Sequence, residues 1–262
     1  MNSCLVLKSK RAQFSIMHKY QILIEYDATN FIRWQTQKKG KSVQKLIQIK
    51  ISRLINEKIT LVGSGRTDAG VHAIEQSAHF NCKKKIENLD KFIKSLNHFL
   101  NSNLVSILDV KKKSLNFHSR FSAKRRIYKY IILNRSSKPS LEKNRGWHIK
   151  KKLDLELLKK GAKMLQGTHD FSAYRSSSCS AKSPIKTIDF VKIKKKNNKI
   201  EIKFKSQSFL QQQVRSMVGC LLYLSIKKWN LKRFKKTLIL KQRNLCAPPA
   251  PAQGLFLDKI IY

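Results

Sequence analysis

Apolar residues along this chain switch between a spacing of two and a spacing near 3.6, and they do so in two successive groups. No other feature constrains the fold as strongly, because strands and helices that alternate in this way bury one another as layers. In the first group Tyr20, Ile22, Ile24 and Tyr26 alternate with other residues and predict a strand. Ser42 suits a helix N-cap, and Val43, Leu46, Ile47, Leu54 and Ile55 recur at helical spacing. Residues 60–63 and 71–80 read as strands, 89–100 as a helix and 104–110 as a strand, with Lys111, Lys112, Lys113 and Ser114 as the connection onward. The second group begins with a strand over 125–133, with Tyr128, Tyr130 and Ile132 on one face. A loop containing Ser136, Ser137 and Pro139 follows, then a helix over 153–165 that stops before Gly167. Strands over 185–196 and 199–206 flank a tight turn at Asn197-Asn198. A helix over 211–229, a helix capped by Asn230 and a strand over 255–262 complete the pattern. The expectation is an α/β (α+β) chain of two halves, 19–113 and 114–262, each a sheet with covering helices, preceded by a tail at 1–18.

At 262 residues the chain has room for about 1.7 average domains and needs no disulfide or metal staple. Its charge is the abnormal quantity: 56 Lys and Arg against 15 Asp and Glu give +41. Such an excess repels itself in a compact chain and calls for a polyanionic partner, nucleic acid before an anionic membrane surface. The same richness in Lys, Ile and Asn is also what AT-biased coding produces, and both origins fit the count. Cys4, Cys82, Cys179, Cys220 and Cys246 are an odd set without a Cys-x-x-Cys pair, which argues against a disulfide framework and a zinc ribbon. His72 and His79 fall on opposite faces of one strand, so a shared metal is not expected. No apolar run approaches the roughly twenty residues of a membrane span, and the basic, acid-free N-terminus lacks the apolar block of a secretory signal. It reads as a mis-assigned start or flexible tail sooner than a transit peptide. The expected location is cytoplasmic.

The chemistry concentrates in Gly63-Ser64-Gly65-Arg66-Thr67-Asp68-Ala69-Gly70-Val71-His72. Its glycines permit positive φ and hence a tight turn between two strands. No Gly-Lys-Ser/Thr follows, so it is not a P-loop, and the strand-like continuation rules out a Rossmann fingerprint. What the loop offers is the carboxylate of Asp68 beside the guanidinium of Arg66. An ionised aspartate serves as nucleophile or base. The same residues also suit an Asx-turn with a surface arginine.

The stretch from Gly65 to His72 resembles the active-site signature of the TruA family of tRNA pseudouridine synthases. Further segments match in the family's order: Glu25-Tyr26-Asp27, Trp34-Gln35, Phe117 to Ala123, Arg126 to Tyr130, Gly167 to Phe171, Phe209 with Val214-Arg215 and Gly219, and Ala247 to Leu255. The resemblance runs from about residue 19 to the end. It implies isomerisation of uridine to pseudouridine at positions 38, 39 and 40 of the tRNA anticodon stem-loop, with no cofactor and no metal. By motif position it makes Asp68 the catalytic carboxylate and Tyr128 the tyrosine that stacks on the uracil and can assist deprotonation. Arg66 and Arg215 become the flanking arginines and Leu255 an apolar pocket residue. It further implies two similar halves of mostly antiparallel, RRM- or ferredoxin-like sheet with the active-site cleft between them, tRNA as partner, a homodimer and no membrane. Two departures stand out. Arg33 precedes Trp34 where the family usually has glycine, and Gln211-Gln212-Gln213 stand where it often has histidines.

Overall fold

The structure is a computed structural model and describes residues 16–262. The proposed tail lies almost wholly outside the described residues, and His18 already belongs to the first strand. In chain order the elements are β1 (His18–Tyr26), α1 (Val43–Ile55), β2 (Val62–Gly63), β3 (His72–Cys82), α2 (Leu89–Leu100), β4 (Val105–Lys113) and β5 (Arg125–Asn134). Then come β6 (Trp147–Ile149), α3 (Leu155–Met164), β7 (Gly167–Asp170), β8 (Ile185–Lys196), β9 (Lys199–Ser206), α4 (Gln213–Ser225), α5 (Leu231–Leu240) and β10 (Leu255–Ile261). The protein is α+β, with a ten-stranded sheet in the order β4-β1-β3-β10-β5-β9-β8-β7; β2 pairs with β3 and β6 with β5. All pairings are antiparallel except β10–β3 and β5–β6.

Two cores follow from the two periodic groups. Tyr20, Ile22 and Ile24 of β1 form one with Val43, Ile47 and Ile51 of α1 and Phe92, Leu96 and Leu100 of α2. Tyr130 and Ile132 of β5 form the other with Leu158 of α3, Phe234 of α5 and the buried length of α4. The last strand joins them: Leu257 and Ile260 belong to the first core and Leu255 to the second. Tyr128 packs against both.

Several expectations need correction. Lys111–Lys113 are not a connection but the end of β4, paired with Gln21, Tyr20 and Lys19. β4 is an edge strand, and lysines there shield an otherwise open edge. Ser42 occupies the N-cap position of α1, but its hydroxyl makes no capping bond and is buried without a partner. The helix read over 211–229 is shorter, because Gln212 (φ 61°) and Lys227 (φ 60°) take left-handed conformations outside its two ends. The short strands β6 and β7 carry too few residues to display a period. The four described cysteines are free thiols, with the sulfurs of Cys220 and Cys246 3.3 Å apart. Among the described residues no helix is long and apolar enough to cross a membrane.

Candidate active site

The Asp68 loop connects β2 to β3 and is tied down along its length. Ser64 donates its N–H to the Ser77 carbonyl (2.8 Å) and its hydroxyl to Gln76 Oε1 (2.7 Å). Gln76 Nε2 in turn donates to the Gly65 carbonyl (3.0 Å). The Thr67 hydroxyl meets the buried Tyr26 hydroxyl at 2.8 Å, and the Thr67 carbonyl accepts from Trp34 N–H at 3.4 Å. A turn closed by Val71 N–H on the Asp68 carbonyl (3.2 Å) then leads into β3. The three glycines do not share one purpose. Only Gly70 has a positive φ (72°). A Cβ on Gly63 would fall 2.5 Å from the Trp34 indole nitrogen, whereas one on Gly65 would meet nothing.

Opposite the loop, α4 presents Arg215. Its Nη1 lies 3.7 Å from Asp68 Oδ2, and its Nε donates to the Ala250 carbonyl at 2.7 Å. The segment from 247 to 251 is pressed onto α4 at Gly219, where a Cβ would come within 2.1 Å of the Pro248 carbonyl oxygen. Tyr130 fixes the same segment by donating its hydroxyl to the Pro251 carbonyl (2.8 Å).

Tyr128 rises from β5 with its ring edge-on to Phe209 at 5.2 Å. Its hydroxyl has no hydrogen-bond partner among the described residues. Burial pushes the phenol up to about 12, and the nearby negative charge of Asp68 adds to that while Arg126 opposes it. Leu255, 6% exposed, opens β10 opposite Tyr130 in the ladder, two residues along from Tyr128 on the same face.

Asp68, Arg215, Tyr128 and Leu255 thus gather where the two cores meet. Arg66 does not converge with them: it is exposed and makes no hydrogen bond or ion pair among the described residues. One participant lay in a matched segment but was given no role by the sequence reading. Arg126 donates to the carbonyls of Ser64, Arg120 and Gln207, so one side chain braces the Asp68 loop, the β4–β5 connection and the chain entering α4. Its spacing of two from Tyr128, which puts both on one strand face, was the available signal.

The first departure is absorbed locally, the second only in part. Arg33 pairs with Ser42 in a short bridge and is not among the residues with positive φ, so glycine's freedom is not required there. Gln213 is fully buried: its Oε1 accepts from Leu210 N–H (2.8 Å), but its Nε2 has no partner among the described residues, while the Gln211 carbonyl accepts from Ser176 N–H (3.0 Å). Asp170 caps a local turn by accepting from Ser172 N–H (2.8 Å), which is structural work.

A family model described as tRNA pseudouridine synthase matches residues 22–122 and 162–262. The chain is 68% identical over 246 residues to a protein called tRNA pseudouridine synthase A from Pelagibacter ubique (strain HTCC1062), covering 94% of this chain and 100% of that one. Proteins of the same name from Maricaulis maris (strain MCS10) and Parvibaculum lavamentivorans are each 37% identical over 246 residues, covering 94% of this chain and 98% and 100% of theirs. With matches of this extent on both sides of the Asp68–Arg215 pair, the chain belongs to the TruA family of tRNA pseudouridine synthases.

Proposed function

We propose that this chain isomerises uridine to pseudouridine at positions 38, 39 and 40 of the tRNA anticodon stem-loop, with Asp68 as the catalytic carboxylate. The observation that carries the assignment is the carboxylate of Asp68 facing Arg215 at 3.7 Å beside the half-buried ring of Tyr128.

The reaction breaks the N1–C1′ bond and re-forms the link through C5, releasing the C5 hydrogen. A carboxylate can drive it by attacking the nucleotide or by removing a sugar proton, and both routes need an ionised Asp68 at the reacting atoms. Arg215 sets a positive charge 3.7 Å from that carboxylate, where it can also meet the nucleotide's phosphate. The target base must leave the helix, which costs a few kcal/mol, and stacking on Tyr128 returns about 1–3 kcal/mol of it. Arg66, exposed and uncommitted, suits the space the base vacates and a neighbouring phosphate. Leu255 offers an apolar wall beside the uracil.

The chain order supports two similar halves about the site. Setting aside β6, β7 and α5, which are inserted in the second half, β1-α1-β2-β3-α2-β4 and β5-α3-β8-β9-α4-β10 follow the same strand–helix–two strands–helix–strand sequence, with matching neighbour orders. That is the split βαβ, ferredoxin-like arrangement. We take 19–113 and 114–262 as these halves, a homodimer as the working assembly, tRNA as the polyanion that balances the +41 charge, and the cytoplasm as the location.

The test is tritium release from a tRNA transcript carrying 5-³H-uridine, comparing wild type with Asp68→Asn and mapping the modified position. Release by wild type alone, mapped to positions 38–40, is the expected result. Release by the variant would remove Asp68 from the chemistry, and modification elsewhere would overturn the substrate assignment.

A further inference from the structure

Phe121 is 77% exposed, although the turn that carries it is held by a set of hydrogen bonds. Ser119, fully buried, donates its N–H to His79 Nδ1 (3.1 Å) and its hydroxyl to the Val62 carbonyl (2.7 Å), and its carbonyl accepts from Tyr262 (2.8 Å). His118 Nδ1 accepts from the N–H groups of Arg120 (3.1 Å) and Phe121 (3.3 Å). Ser122 N–H returns to the His118 carbonyl at 2.9 Å. With the backbone held in this way, the turn has no loop freedom with which to fold the ring down onto the protein.

Its surroundings are cationic and aromatic. The His118 ring lies 4.3 Å from it, tilted by 33°, and the Arg120 guanidinium sits 5.7 Å from its centroid. Between Asp109 and Glu142 the chain has no acidic residue. The turn also adjoins the candidate active site. A single nitrogen of Arg126 donates to both the Arg120 carbonyl (2.9 Å) and the carbonyl of Ser64, at the start of the Asp68 loop (3.1 Å).

We propose that Phe121 is a stacking platform for an unpaired nucleobase of the RNA substrate, next to the reacting uridine, with Arg120 placed for the adjoining phosphate. This rests on the function proposed above. A rigid exposed ring among cations suits a base and its phosphate, since every base has a π-face and the strand brings the opposite charge. A second copy of this chain would instead bring more positive charge against the same patch.

The experiment measures affinity for a fluorescein-labelled anticodon stem-loop RNA by anisotropy across a salt series, for wild type, Phe121→Ala and Phe121→Trp. Phe121→Ala is expected to weaken binding by about 5- to 150-fold, the value of one base–aromatic stack. Phe121→Trp should restore it. The melting temperature should not move, because the ring is exposed, and the salt slope should not move, because no charge is removed. Unchanged affinity in Phe121→Ala overturns the proposal. A shift in sedimentation with unchanged affinity also overturns it and assigns the ring to a contact between copies. Tritium release by wild type is read separately, so a failed stack and a failed enzymatic assignment give different results.

Discussion

Arg215 reaches Asp68 while anchored from behind: its Nη1 is 3.7 Å from the carboxylate and its Nε holds the Ala250 carbonyl at 2.7 Å. One planar side chain therefore sets the distance between α4 and the Asp68 loop. Lysine has a single point of charge and cannot keep both contacts. Arg215→Lys should lower kcat for tritium release by about 10²-fold, the scale of losing one aligned donor at a charged centre. The melting temperature should fall only by what one hydrogen bond is worth, about 1 kcal/mol. Turnover within twofold of wild type would remove Arg215 from the site.

Tyr128 divides stacking from proton transfer. With its phenol pushed up to about 12 by burial, it is protonated throughout the physiological range. Any base role for it would make the rate climb with pH toward that value. The expected profile is flat between about pH 7.5 and 9.5. Tyr128→Phe should keep KM within about threefold, because the ring and its edge-on contact with Phe209 survive. Tyr128→Ala should raise KM by roughly tenfold or more as the stack is lost. Equal KM values for the two variants would show that the ring does not hold the base.

Gly219 lets the segment from 247 to 251 lie against α4, and a Cβ there would sit 2.1 Å from a backbone oxygen. Backbone cannot rotate away as a side-chain tip can, so Gly219→Ala must push the segment off the helix. A loss of at least about 2 kcal/mol in chemical denaturation is expected, with reduced turnover because Ala250 moves with Arg215. Gly65→Ala, where a Cβ meets nothing, is the control and should denature within about 0.5 kcal/mol of wild type.

The two thiols near that segment should differ. Cys220 is fully buried and its thiol is pushed up by burial. Cys246 is partly exposed and lowered by the hydrogen bond from Cys220 and by the charge of Arg243. Iodoacetamide followed by peptide mass spectrometry should label Cys246 at pH values below the usual thiol range near 8.5 and leave Cys220 unlabelled in the folded protein. Faster labelling of Cys220 would contradict this order.

The periodic elements were legible because burial imposes a period: β1, α2, β8 and β9 lie close to where Tyr20–Tyr26, Leu89–Leu100 and the strands about Asn197 indicate. β6 and β7 were not, being three and four residues long. The lysines of β4 were misread because an edge strand keeps pairing while its side chains look like a linker's. Asp68 was found through its motif, since its chemistry alone favoured an Asx-turn. What no local pattern could supply was the meeting of Arg215 with Asp68 and the threefold grip of Arg126. Both depend on β10 lying between β3 and β5.

His79 makes the β4–β5 turn sensitive to acid. Its Nδ1 accepts the Ser119 N–H, and burial, with His118 and Lys19 adding, pushes its pKa down to about 4. An unfolded histidine takes its proton near pH 6.5. Between these values the unfolded chain binds a proton that folded His79 refuses, so stability is full above about pH 6.5 and falls as pH drops toward 4. The contribution is on the order of 3 kcal/mol, from 1.36 kcal/mol per unit. His72 and His118, also lowered chiefly by burial, act in the same direction. Urea denaturation at pH 7 and pH 4.5 should show the loss, and His79→Gln should make it smaller. An undiminished pH dependence in His79→Gln would place the acid sensitivity elsewhere.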